Sequence, residues 1–173
     1  MLRSVSVGLF VLLSLVAAAN AETITGTAEV IDSDLLRVDG RRVYLFGIES
    51  LESGQDCAIG TELWECYPAA VRKLQTIVTG GEVTCEIMSG PDFLDQVIAR
   101  CVLGGEDIAA QYIRSGFAVT IPEETDAYED EMAAAQQEGV GLWQGRFFLP
   151  SVWRQYERIF ADRPPYVPLQ PAP

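Results

Sequence analysis

The chain contains no histidine. That excludes Ser-His-Asp and Cys-His catalysis and leaves carboxylates, amines, hydroxyls or a bound metal to carry any chemistry. Acids stand at suggestive spacings: Glu49 and Glu52 are three residues apart, and Asp32 and Asp34 flank a serine. A pair such as Glu49 and Glu52 could serve glycoside chemistry, whereas Asp32 and Asp34 also suit a plain turn. The four cysteines, Cys57, Cys66, Cys85 and Cys101, are even in number and read first as disulfides. Zinc is the rival reading, and without histidine or a C-x-x-C pair it would need four widely spaced thiolates.

The first 21 residues carry one basic residue (Arg3), an apolar run from Val5 to Val16 and an Ala19-Asn20-Ala21 ending. This is the pattern of a cleavable signal peptide. Its apolar run is shorter than the roughly 20 residues of a membrane span, and the competing reading is an uncleaved anchor. Cleavage would send the protein to the bacterial periplasm or outside the cell, with no membrane partner, where cysteines oxidise. The remainder, 22–173, has the size of one domain. Net charge is −13 over the whole chain, and −14 once Arg3 leaves with the leader. A phosphate backbone would be repelled at long range, although an acidic surface also serves solubility alone.

The elements that must position these acids follow from periodicity. Strands are expected at about 24–31, 34–38 and 41–48, with a tight hairpin turn at Asp39-Gly40. A polar loop follows from Glu49 to about Glu65. Apolar positions 71, 74, 77 and 78 then predict a helix that begins near Pro68 and stops at Gly80. Strands at 82–88 and 96–103 flank a loop with Gly90-Pro91-Asp92. Short helices are expected at 107–115 and 126–138, the latter ended by Gly139, with a brief extended piece at 117–121 between them. A further helix after Pro150 forms an extension over 146–161, and the proline-rich 162–173 reads as a disordered tail.

Five strands with the first helix between the third and fourth is the order of an OB-fold barrel. The chain also carries Val30-Ile31-Asp32-Ser33-Asp34 before a hairpin, Leu45-Phe46-Gly47-Ile48-Glu49-Ser50-Leu51-Glu52, a hairpin around Asp92, and Gly139-Val140-Gly141-Leu142-Trp143. In these features, which cover about 120 residues in order, it resembles the staphylococcal nuclease, or thermonuclease, family. The resemblance implies an α+β, predominantly β fold over 22–145, a five-stranded OB-fold barrel with three helices. It also implies a calcium-dependent phosphodiesterase of nucleic acids.

By the same resemblance, metal ligands fall on Asp34, on Glu49 (a longer acid than the usual aspartate) and on the main chain of Ser50. The general base falls on Glu52. The motif around the metal aspartate is altered, with Ser33 and Leu35 in place of glycine and threonine, so calcium would be held weakly. The two phosphate-binding arginines fall on Tyr44 and Gln96, so both catalytic cations are missing. Arg42 and Arg100 lie on the same strand faces as these two positions, either as relocated arginines or as ordinary surface residues. Asp32, Asp34, Glu49, Glu52, Asp92 and Asp95 would gather at one end of the barrel, as a cation site or as a solvated acidic rim.

Two disulfides are expected. Cys85 and Cys101 lie on strands whose loop centres near residue 93, so positions summing to 186 should face each other. Cys57 and Cys66 bracket the stretch between the segment with Glu52 and the first helix, and are expected to pair across it. The leading expectation is an exported, catalytically degenerate nuclease-like domain that binds or scaffolds a protein or polymer. Its alternatives are an active calcium-dependent nuclease with a rebuilt phosphate site and an accessory protein for an exported polysaccharide. Nucleic acid is a partner by resemblance and is opposed by charge.

Overall fold

The computed structural model describes residues 22–160. The expected signal peptide at 1–21 and proline-rich tail at 162–173 lie outside the described residues.

The structure is α+β, with a mixed sheet and, among the described residues, four α-helices. Strands β1 (Thr23–Gly26) and β2 (Ala28–Val30) are two pieces of the expected first strand, separated only by Thr27. β3 (Leu35–Val38) and β4 (Arg41–Leu45) meet at Asp39-Gly40, where both residues have positive φ, 48° and 78°. Two successive left-handed residues match the twist of the flanking strands, which is why Asp-Gly closes hairpins. β8 (Val83–Ser89) and β9 (Gln96–Leu103) form the long hairpin. The sheet order is β1-β8-β9-β4-β3-β2, with a short β10 (Glu106–Asp107) also on β9. β4 and β9 run parallel, pairing Arg42 with Gln96 and Tyr44 with Ile98, and the other ladders are antiparallel.

The sheet's hydrogen-bonded order ends at β1 and β2, so no ladder closes it into a barrel. The expected strand 41–48 is also corrected. The chain turns at Phe46-Gly47, with φ 76° at Gly47, and Ile48–Ser50 becomes β5, paired with β11 (Ala118–Thr120) instead. The expected polar loop 49–65 contains a small hairpin, β6 (Cys57–Ile59) and β7 (Glu62–Trp64).

Alternate strand residues such as Leu36, Val38, Val43, Leu45, Val97 and Ala99 face one buried core. Helix α1 (Cys66–Val78) adds Ala70, Leu74 and Val78 at helical spacing, and α2 (Ile108–Arg114) adds Ile108, Tyr112 and Ile113. Asp107 caps α2 by accepting from the Ala110 N–H at 3.1 Å. α3 (Glu129–Glu138) ends at Gly139 in the left-handed conformation. The Gly-Val-Gly-Leu-Trp run that follows has a steric reason. A Cβ on Gly141 would sit 2.4 Å from the Gly116 carbonyl oxygen, the same carbonyl that accepts from Leu142 N–H at 2.8 Å. The chain then continues to α4 (Pro150–Phe160), inside the extension expected at 146–161.

Both disulfides are present, Cys57–Cys66 and Cys85–Cys101. In the β8–β9 ladder Val83 faces Leu103, Cys85 faces Cys101 and Ile87 faces Ala99, the expected register, before it shifts between Ile87 and Ser89. No described helix is long and apolar enough to cross a membrane.

Candidate functional site

The turn between β2 and β3 positions the first two acids. Asp32 closes it by accepting from Ser33 N–H at 2.7 Å, and also accepts from the Tyr67 hydroxyl at 2.9 Å. The buried Ser33 hydroxyl donates to the Leu51 carbonyl, which ties this turn to the segment bearing Glu52. A serine in place of glycine therefore has a structural duty here. Asp34 lies beyond the turn, half-buried, and accepts a hydrogen bond from the Ser50 backbone N–H. Its carboxyl is pushed up to about 7, first by burial and then by the negative charges of Asp32 and Glu52, against the pull of Ser50 and of Arg154.

β5 and the turn after it supply Glu49, Ser50 and Glu52. The Ser50 hydroxyl is turned inward, 3.0 Å from the Tyr112 hydroxyl and donating to the Phe117 carbonyl at 2.7 Å. Glu49 and Glu52 face the other way and share one cation that the sequence reading overlooked. Arg154, on α4, donates from Nη2 to Glu49 Oε2 at 2.7 Å and from Nη1 to Glu52 Oε1. One guanidinium thus spans the expected metal ligand and the expected base.

Tyr44, 36 % exposed on β4, lies in the field of this cluster. Burial and then Asp34 raise its phenol above the ordinary tyrosine value, with Asp32 and Glu52 adding to the effect and Arg42 opposing it. Gln96 is buried at the start of β9, where its N–H donates to Asp92 Oδ1 at 2.9 Å. Asp92 accepts from Leu94 N–H as well and so closes its own loop. Asp95 sits at that hairpin's exposed tip with φ 57°. Arg100 is committed elsewhere, 3.8 Å from Asp107 and 5.7 Å from the Phe46 ring centre. Arg42 is exposed on β4.

Among the described residues no three acid or cysteine side chains are gathered as a metal cage. Arg154 takes one oxygen of each carboxylate, Glu49 Oε2 and Glu52 Oε1, and sets a fixed positive charge between the two acids that a calcium ion would need. The donor set therefore does not fit calcium in this arrangement.

The ion pair between Arg154 and Glu49 also forms one wall of a cleft of about 590 Å³. Thr120, Glu123, Gln136 and Trp143 line its other sides.

No family model matches the chain. It is similar to a succinoglycan biosynthesis protein, ExoI, of Rhizobium meliloti (strain 1021), with 29 % identity over 151 residues that cover 83 % of this chain and 77 % of that protein.

Proposed function

We propose that this chain is an exported, non-hydrolytic binding or scaffolding module on a staphylococcal-nuclease-like framework. The barrel reading draws support from the two strands that end the sheet's hydrogen-bonded order. β1 and β2 are separated only by Thr27, so the covalent chain joins the two ends of the order. Export draws support from the two disulfides.

The observation that carries the non-hydrolytic reading is the engagement of Glu52. A general base has to be aimed at the attacking water, and the Glu52 carboxylate is held toward α4 by Arg154 through Oε1. The developing charge on phosphorus would need fixed cationic donors, and the two positions that the resemblance assigns to them are Tyr44 and Gln96. Hydrolysis of DNA and RNA in calcium should run at least about a hundredfold slower than in an active relative, the scale of losing one charge-stabilising donor. Calcium-dependent cleavage at ordinary nuclease rates, abolished by Glu52→Gln, would overturn this and favour the rebuilt nuclease.

A second reading has its own support. An accessory role toward an exported polysaccharide is favoured by the similarity to a succinoglycan biosynthesis protein. The cleft beside Glu49, with Trp143 and several hydrogen-bonding side chains, is compatible with a polyol. Retarded migration of the protein in gels cast with an exported bacterial polysaccharide, but not in gels cast with DNA, would support it.

A further inference from the structure

We propose that Arg154 is the resident cation of the acid site. Carried in cis by α4, it stands where the resemblance would put a divalent metal and excludes calcium while the helix is docked. The inference rests on the non-hydrolytic reading and adds how that site is regulated.

The geometry of the contact comes first. One planar guanidinium reaches two carboxylates on different segments, Glu49 at the centre of β5 and Glu52 in the turn beyond it. Each bond takes one oxygen of its carboxylate, and the guanidinium charge between the two acids repels a divalent cation that would bind there. A guanidinium is always charged and donates in a fixed fork, so it can hold two carboxylates at once in a way a lysine cannot.

The delivery of that guanidinium does not depend on the ion pair. The segment before α4 is stitched to β6, where Ala58 N–H donates to the Arg146 carbonyl at 2.8 Å and Arg146 N–H donates back to Ala58 at 2.7 Å. A Cβ on Gly145 would lie 2.2 Å from the Ala58 carbonyl oxygen, so the two backbones meet with no room for a side chain. Further on, Gln55 Nε2 donates to the Phe148 carbonyl at 2.7 Å. Within α4, Trp153 is fully buried, with ring contacts to Phe148 and Tyr156. Residue 154 is therefore held over the acids by contacts made on both sides of it. Arg100, one of the two arginines that share strand faces with the positions the resemblance assigns to cations, is engaged with Asp107 and Phe46 instead.

The test is calcium titration of the purified, disulfide-intact protein by calorimetry, with a parallel thermal melt in EDTA and in calcium. Wild type should bind at least about tenfold more weakly than Arg154→Gln. The variant should reach a Kd on the order of 1 mM or tighter, the range of weak extracellular calcium sites. Its Tm in EDTA should fall by about 3 °C and be partly restored by calcium, whereas wild type should not shift. Glu49→Gln added to Arg154→Gln should abolish the gained binding. Arg154→Lys keeps the stem and one charge, so it serves if the glutamine variant does not fold, and it should gain part of the calcium affinity. Equal calcium affinity in wild type and in either variant would overturn the proposal. So would a calcium-dependent nuclease activity of wild type that Arg154→Gln abolishes, since Arg154 would then be a phosphate donor. Nuclease activity that survives in Arg154→Gln, with the calcium difference intact, would instead overturn only the non-hydrolytic reading.

Discussion

Gln55 donates from Nε2 to the carbonyl of Phe148 at 2.7 Å, and through this one bond the turn after β5 holds the approach to α4. The other end of the same amide accepts from Glu52 N–H at 3.1 Å, and the Gln55 N–H donates to the Glu52 carbonyl at 3.0 Å. The residue is 1 % exposed. A polar side chain buried this fully has to find partners, because an unpaired amide loses its water for nothing. Here both ends are satisfied, and the pairing sets where Glu52 and α4 lie relative to one another.

Gln55→Ala should therefore destabilise the fold by about 1–3 kcal/mol, the usual penalty for stranding buried hydrogen-bonding groups. It strands the Phe148 carbonyl and the Glu52 N–H together. Urea unfolding should report the loss, and hydrogen exchange should speed up in α4 more than in β9. Unchanged exchange in α4 would show that the bond does not hold the helix.

Local signals in the sequence were dependable, and long-range ones were absent. Asp39-Gly40 announced its turn because two left-handed residues are needed there. The pairing of Cys85 with Cys101 followed from the centre of one hairpin. The β6–β7 hairpin was missed because Cys57–Ile59 and Glu62–Trp64 are only three residues each, too short to show an alternation. Arg154 was missed for a different reason. It lies 105 residues from Glu49, and nothing near either residue announces the other. The available hint was Trp153 beside it, since a tryptophan in a short amphipathic helix has to be buried somewhere. Of the expected site, Asp34, Glu52 and Tyr44 act on one another electrostatically and Glu49 joins them through Arg154, while Asp92 closes its own hairpin loop.

Asp34 makes stability depend on pH in an unusual direction for an acid. Its folded value is about 7 against an ordinary 3.8, so between these the folded state keeps a proton that the unfolded state has released. Stability from this group is fully present below about pH 4 and is lost as pH rises through about 7. Melts in EDTA should show wild type losing more Tm between about pH 5 and pH 8 than Asp34→Asn does, because the amide cannot ionise. Parallel pH profiles for the two proteins would mean that Asp34 is charged throughout.

The two disulfides close loops of different size, with sequence separations of 9 and 16. In the chain-entropy account the larger loop contributes more, about 3 kcal/mol. Replacing Cys85 and Cys101 together by serine should thus cost more in urea unfolding than the same change at Cys57 and Cys66. The Cys57–Cys66 pair adjoins Gln55, whose carbonyl lies 3.4 Å from Cys66 Sγ, so its loss should instead loosen the turn that carries Glu52. Non-reducing peptide maps that link 57 to 85 would contradict the β8–β9 register itself.

Trp153 should decide whether α4 is a separable strap or part of the core. Its ring is 1 % exposed, stacks on Tyr156 at 6.0 Å and meets Phe148 at a tilt at 5.9 Å, while its indole N–H has no partner among the described residues. Removing a buried aromatic ring usually costs about 3–5 kcal/mol. If α4 is a strap, the loss cannot exceed what docking the helix contributes, because the helix can leave while the sheet stays folded. Trp153→Ala should then lose hydrogen-exchange protection along α4 and free Glu49 and Glu52 from Arg154, with β8 and β9 unchanged. Trp153→Phe should keep most of the protection, because the N–H it discards makes no hydrogen bond and the phenyl ring retains much of the apolar contact. A single cooperative loss of protection through β9 as well as α4 in Trp153→Ala would mean that the helix is integral to the core, and Arg154 could not then be released from the acids without unfolding the domain.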